Sequence, residues 1–368
     1  MRSNQRPPTP LPALAPERGS TVYCIESLTP IFHGGTEAKR IDPEVPFRVP
    51  SIRGMIRFWW RATSPITDLG QLRAREKEVF GGVFQGDPRP SAVRMSVRTP
   101  RSTPGRLGDY RDRYGYAIKV ALGQEDHDDS REHLHREGAS AELSVRIEGP
   151  APGLDRAIAA WLLFGGIGGR WRKGFGAVAD TGTALGEDAL VARWRELCPP
   201  EVQRPWPTLA GSTLLLGRRA ASPMEAWKGA LDDLQRARQS RSVVARHREW
   251  GIDPASVPND WARDDYDHFV TENAFHSKRA ALGLPLQFRS RHHGTKVMNP
   301  AGPDKRMPSP VLLRPVRLAD GGAVAVLLFL DAPLVRRVQV GHVNGTVDPT
   351  GLDLLRNTFL SFPGWRQA

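Results

Sequence analysis

The sequence predicts an α+β protein made of two ferredoxin-like (RRM-like) domains with insertions, the second one degenerate. Three observations lead there. Apolar residues make up 39% and charged residues 25% of 368, enough to bury the cores of two ordinary domains and too apolar for a disordered chain. The first half reads strand, helix, strands, helix, strand, the element order of a split βαβ unit. The second half reads strand, helix and a later hairpin, which is consistent with a degenerate copy of the first. The expected division is a lead-in over 1–20, a first domain over 21–198 and a second over 208–368.

The lead-in carries Pro7, Pro8, Pro10, Pro12 and Pro16 and lacks the apolar core of a signal peptide, so it is expected to be extended or disordered. Thr21–Leu28 is β-rich and predicts a strand. A polar loop with Gly34 and Gly35 runs to Pro50. Ser51 is placed to cap a helix over Ile52–Arg61, in which Ile52, Met55, Ile56, Trp59 and Trp60 keep helical spacing. Arg53, Arg57 and Arg61, at i, i+4 and i+8, form a basic ridge beside that apolar stripe. Of the adjacent Trp59 and Trp60, only one is expected to point fully inward. A second helix spans Leu72–Phe80. Val93–Arg98, Tyr116–Leu122 and Ala141–Ile147 read as strands, and the charged insert Glu125–Glu137 as a mobile surface loop. Leu154–Phe164 is an apolar helix; the glycine-rich run Gly165–Gly176 follows, then a short strand over Ala177–Asp180. Pro199, Pro200, Pro205 and Pro207 mark a linker. Ser212–Leu216 reads as a strand and Pro223–Arg238 as a helix capped by Ser222. Leu312–Leu318 and Ala323–Leu330 read as a hairpin around Asp320-Gly321-Gly322.

Charge narrows the function. Lys and Arg total 52 against 40 Asp and Glu, a net +12, and 44 of the 52 are Arg. Guanidinium groups fork onto phosphates and stack on bases, so a polyanionic partner is expected. Cys24 and Cys198 are too few for a disulfide framework or a Cys-rich zinc site, which fits a reduced, cytoplasmic setting. No apolar run approaches ~18 residues, so no membrane span is expected.

The run Gly165-Gly166-Ile167-Gly168-Gly169-Arg170-Trp171-Arg172-Lys173-Gly174-Phe175-Gly176 is not a P-loop, because Gly174 precedes Phe175 rather than Lys and Ser/Thr. It is not a dinucleotide fingerprint, because it follows a helix and leads into a strand. The run's bare backbone N–H groups, flanked by Arg170, Arg172 and Lys173, suit a phosphate-cradling loop; Trp171 and Phe175 offer stacking faces. Lys173–Asp180 also matches the RNP1 octamer at five of its seven specified positions, departing at Ala177 and Asp180. The alternative is a turn whose glycines allow tight packing on a helix. Asp126-His127-Asp128-Asp129 and His133-Leu134-His135 lack the further ligands of an HD nuclease, and no metal or other cofactor is expected.

Leu28–Gly35 followed by Val49–Arg61, with Val79-Phe80-Gly81-Gly82 after them, resembles the opening of the RAMP superfamily. Within it the likeness is to the first Cmr subunits of type III-B CRISPR effector complexes. The glycine-rich run is similar to the RAMP G-loop, and Leu282–Leu286 and Arg306–Leu313 are similar to second-domain segments of those subunits. The resemblance covers most of residues 21–330. It implies two ferredoxin-like domains and an RNA-binding cleft between the first-domain helix and the G-loop. Carried over, the cleft uses Arg53, Arg57 and Arg61 from the helix and Gly168, Gly169, Arg170, Arg172, Lys173 and Phe175 from the loop, with Lys39 and Arg40 in the polar loop nearby. The implied partners are crRNA, near its 3′ end, incoming single-stranded target RNA, and other Cmr subunits, especially the sixth and the backbone RAMP subunit. The implied role is non-catalytic, in antiviral defence.

Two alternatives stay open. His33, in the loop after the first strand, has the chemistry of a general base for metal-independent RNA cleavage. Glu37 and Asp42 occupy the loop in which backbone RAMP subunits carry an aspartate, and ion pairing with Lys39 and Arg40 is the plainer expectation for them. The third reading is a pure scaffold subunit whose arginine excess has no RNA to meet.

Overall fold

The computed structural model describes residues 19–32, 41–42, 44–84, 86–110, 114, 134–239, 241, 245, 253–257, 261, 274–290, 294–303 and 305–368. Strand β1 (Ser20–Ser27) is followed by helices α1 (Val49–Thr63) and α2 (Leu69–Phe80). Strands β2 (Val93–Arg101) and β3 (Ser140–Ile147), helix α3 (Leu154–Phe164), strand β4 (Val178–Asp180) and helix α4 (Glu187–Leu197) complete the first half. The strands form a sheet in the order β2-β3-β1-β4, every neighbour antiparallel.

The second half repeats this order. Strand β5 (Thr208–Ala220) leads into α5 (Pro223–Arg238), where the Ser222 side chain accepts from the Glu225 N–H as the sequence predicts. Strands β6 (Phe275–Ser277), β7 (Leu286–Ser290) and β8 (Gly294–Pro300) come next, then the hairpin β9 (Val311–Arg317) and β10 (Ala323–Asp331). Strands β11 (Arg337–Val340) and β12 (Val343–Val347), helix α6 (Thr350–Ser361) and strand β13 (Arg366–Gln367) close the chain. The second sheet runs β9-β10-β5-β13, again fully antiparallel. A third sheet, β6-β12-β11-β8-β7, is assembled from two separate insertions, one on each side of the β9–β10 hairpin.

Burial explains the apolar runs of the second sheet. On β10, Val324, Val326 and Leu328 face α1 and α3 of the first half, while Ala323, Ala325, Leu327 and Phe329 face α5 and α6. A strand buried on both faces reads as a continuous apolar run rather than an alternating one. Helices α1 and α3 thus lie between the two sheets, which is why α3 is apolar around most of its circumference. The two halves share this core. The proline-rich connection is anchored to it by Arg204, which is buried and donates to Ile66 O, Pro65 O, Pro200 O and Val202 O.

Several local expectations change. Helix α1 begins at Val49, not after Ser51: Pro50 sits in the first turn, where a missing N–H costs no hydrogen bond, and Ser51 and Ile52 N–H both reach Arg48 O. Trp59 and Trp60 are both buried, because α2 covers the flank that would otherwise be solvent; Trp60 packs on Phe80 and donates to Pro152 O at 2.8 Å. The insert is not a surface loop over its last residues. Leu134 and His135 are fully buried in a two-stranded ribbon with Pro104–Gly105, and His135 exchanges both backbone bonds with Ile31. The strand expected over Tyr116–Leu122 and the rest of the insert lie outside the described residues.

Candidate nucleic-acid interface

The glycine-rich loop is held by its backbone before its side chains matter. Gly176 N–H donates to Pro30 O, Gly169 N–H to Phe32 O and Ile167 N–H to Gly176 O, while Thr29 Oγ1 donates to Gly174 O and accepts from Ala177 N–H. Two glycines are required by geometry. Gly176 has φ +57° and a Cβ there would overlap Ile167 O; Gly174 has φ +87° and a Cβ would strike the Trp227 indole. Arg170 takes the same left-handed region at φ +58°, where non-glycine residues are uncommon. The result is a single 3-10 turn, Trp171–Lys173, carrying the cationic side chains.

That turn sits at the seam between the halves. Trp227, on α5, donates its indole N–H to Lys173 O at 2.7 Å. Toward α1 the loop meets Phe58 and Trp59, not the basic ridge: Trp171 lies edge-on to Phe58 at 5.5 Å, and the Arg172 guanidinium lies over Phe58 at 5.4 Å and Trp171 at 4.5 Å. Burial pushes the Arg172 guanidinium down to about 10 and lowers that of Arg170. The Lys173 ammonium is held well below the ordinary lysine value by burial first, then by the charges of Arg238 and Arg170. Phe175 is 1% exposed and packs edge-on to Trp227 at 4.9 Å and against Phe32. Its ring is core, with no face open to a base. The fit to RNP1 at this position therefore carries packing rather than stacking.

The ridge on α1 is met by α2. Arg53 donates to Phe80 O; Arg57 Nε and Arg61 Nη1 both reach Glu76, at 2.8 and 3.4 Å, and Glu76 is buried while the two guanidinium groups stay about 40% exposed. Gly168 has φ +81°, and Gly169 packs on Phe32. His33, Glu37, Lys39 and Arg40 lie outside the described residues; Asp42 accepts from Glu44 N–H.

Two arginines of the second half, Arg314 and Arg238, join the loop that local sequence reading did not connect with them. Arg314, fully buried on β9, donates to Gly165 O at 2.6 Å, Val178 O at 2.8 Å and Pro315 O at 3.1 Å, and burial pushes its guanidinium down to about 9. The signal was present: a lone Arg within Leu312-Leu313-Arg314-Pro315-Val316. Beside it, Arg317 makes a two-pronged pair with Glu26 of β1, at 2.8 and 2.9 Å. Arg238, in the last turn of α5, lines a small cavity with Arg172 and Lys173. Among the described residues no group of three or more His, Cys, Asp or Glu is placed to hold a metal ion, and no helix is long and apolar enough to cross a membrane.

Comparison with known proteins locates this arrangement. No curated protein sequence gives a match. Cmr1 from Pyrococcus furiosus, solved in its apo form, is 18% identical, with a TM-score of 0.56 over 94% of this chain and 97% of that one. A chain of the type III-B Cmr-beta complex bound to cognate target RNA is 9% identical, with a TM-score of 0.51 over 92% of this chain and 99% of its own. A chain of the same complex with target RNA and AMPPnP, in the presence of ssDNA, gives 10%, 0.52, 93% and 99%. The model of the RAMP superfamily matches residues 24–179, the span from β1 through the glycine-rich loop to β4. Residues 24–179 thus match the RAMP superfamily, within a whole chain that has the fold of Cmr1.

Proposed function

We propose that the chain is a non-catalytic, RNA-binding subunit of a type III-B Cmr effector complex, acting in the cytoplasm in antiviral defence. In this reading it is built of two ferredoxin-like domains, supported by the repeated sheet orders β2-β3-β1-β4 and β9-β10-β5-β13. The observation that carries the RNA reading is the loop: a turn pinned at both ends presents Arg170, Arg172 and Lys173 together at the seam. Rigid backbone with converging cations grips phosphates without reading bases, as suits a subunit whose sequence specificity comes from guide pairing. Gly168 and Gly169 let the strand approach the backbone. Arg53, Arg57 and Arg61 extend the basic surface along α1, with Lys39 and Arg40 in the preceding loop. The ligand is the crRNA 3′ end, the incoming target RNA, or both. The neighbours are the sixth Cmr subunit and the backbone RAMP subunit. The likeness to chains of complexes solved with cognate target RNA supports this placement.

A scaffold role is the second reading, favoured by one observation: Glu76 already occupies Arg57 and Arg61. A salt titration of single-stranded RNA binding in EDTA separates the readings. Binding that collapses in an Arg57→Ala/Lys173→Ala chain, but not in Arg73→Ala/Arg195→Ala, with the RNA intact, supports RNA recognition. Equal loss in both pairs reduces binding to diffuse charge, and RNA cleavage lost on His33→Ala turns the reading to an enzyme.

A further inference from the structure

Three cations from the two halves converge on one small cavity of about 80 Å³. Arg172 and Lys173 enter it from the loop and Arg238 from the end of α5; the other described lining residues are leucines, a valine and Ser309. Holding the Arg172 and Arg238 guanidinium groups against apolar walls is unfavourable while their donors lack acceptors. The closeness of the cations shows at Lys173, whose ammonium is pushed down by burial first and then by Arg238. Two further groups are left wanting. The Nε–H of Arg172 and the Nε–H of Arg238 are both buried, and neither has an acceptor among the described residues. A buried donor without an acceptor forfeits its hydration and gains nothing in return.

We propose that this seam is a phosphate site, in which Arg238 joins Arg172 and Lys173 to hold one phosphodiester of bound RNA. The strand is thereby obliged to cross from the first half of the chain onto the second. The proposal rests on the RNA-binding reading above and adds to it a residue outside the RAMP-matched span. The plainer role for Arg238 is to complement the carbonyl end of α5. That role alters folding and leaves the salt dependence of RNA binding alone.

The test uses the full chain and a fluorescent single-stranded RNA, titrated with salt. Arg238→Gln is expected to bind about tenfold more weakly at low salt, the value of one charge-assisted hydrogen bond. Its plot of log affinity against log salt should be shallower by about 0.7, one phosphate contact on a single strand. Arg238→Lys should keep the slope, and it carries the test if Arg238→Gln melts early. Arg195→Gln, the same charge change on the exposed face of α4, should leave the slope unchanged. A neutral methylphosphonate linkage walked along the RNA should weaken the wild-type chain most at one position and cost Arg238→Gln less there, because only Arg172 and Lys173 remain to lose a partner. Equal slopes for Arg238→Gln and Arg195→Gln overturn the seam site and leave the RNA reading intact. A wild-type chain without salt-dependent RNA binding overturns both.

Discussion

Gly176 and Gly341 share a backbone φ of +57° and differ in everything around them. The pair therefore separates two reasons for a glycine. At Gly341, in the two-residue turn between β11 and β12, a Cβ meets open space. Ala there incurs only the left-handed backbone penalty, about 1–2 kcal/mol. At Gly176 a Cβ overlaps Ile167 O and lies 3.2 Å from Ile167 N, both backbone atoms that no rotamer change can move. The chain must part there. Parting breaks Ile167 N–H to Gly176 O and strains Gly176 N–H to Pro30 O, each 2.8 Å in the intact loop. Two net hydrogen bonds at about 1 kcal/mol each, added to the backbone penalty, give about 3–4 kcal/mol for Gly176→Ala. Urea denaturation of Gly176→Ala and Gly341→Ala checks this directly, and the first should also lose RNA binding because the cationic turn loses its anchor. Equal destabilisation by the two substitutions would refute the view that close packing shapes the loop.

Further expectations follow from the charges. Lys173→Met should stabilise the RNA-free chain at neutral pH while weakening RNA binding, because function and stability ask opposite things of a buried cation. The sign with pH is fixed by the lowered folded-state value: the unfolded lysine holds its proton to higher pH, so wild-type stability rises with pH between the folded value and the ordinary one. Urea midpoints of wild type minus Lys173→Met at two alkaline pH values read this difference. Glu76→Gln should release Arg57 and Arg61, tightening RNA binding and steepening its salt dependence; an unchanged slope would exclude the ridge from the interface. For the partly exposed Glu26–Arg317 fork, a double-mutant cycle should give a coupling of ~1 kcal/mol that shrinks with salt. Arg314→Lys keeps the charge but not the planar fork that serves Gly165 O, Val178 O and Pro315 O, and should cost about 2–3 kcal/mol in the same denaturation assay.

Local chemistry was legible wherever a pattern closes within a few residues. Leu154–Phe164 and Pro223–Arg238 fold as helices over the expected spans, because apolar periodicity, a capping Ser222 and a first-turn proline act within a turn or two. The hairpin at Asp320-Gly321-Gly322 formed for the same reason: Gly321, at φ +85°, supplies the turn. The glycine-rich run announced itself as a site by composition. What its side chains meet was not legible. Trp227 lies more than fifty residues from the loop it caps, Arg314 reaches a carbonyl of the glycine-rich loop and one of the first sheet, and α2 buries Trp60 and pairs Glu76 with both Arg57 and Arg61. The third sheet joins strands on either side of the β9–β10 hairpin, a pairing that no local period encodes.

The sequence by itself determined the elements, the positive charge and the loop that concentrates it, since each depends on residue types at short spacing. Tertiary structure alone decided that this loop faces the second half, that Phe175 is core, and that Arg238 stands beside Arg172 and Lys173. Those outcomes turn on which surfaces pack together, and packing is settled by apolar area and steric fit summed over the whole chain rather than by any one segment.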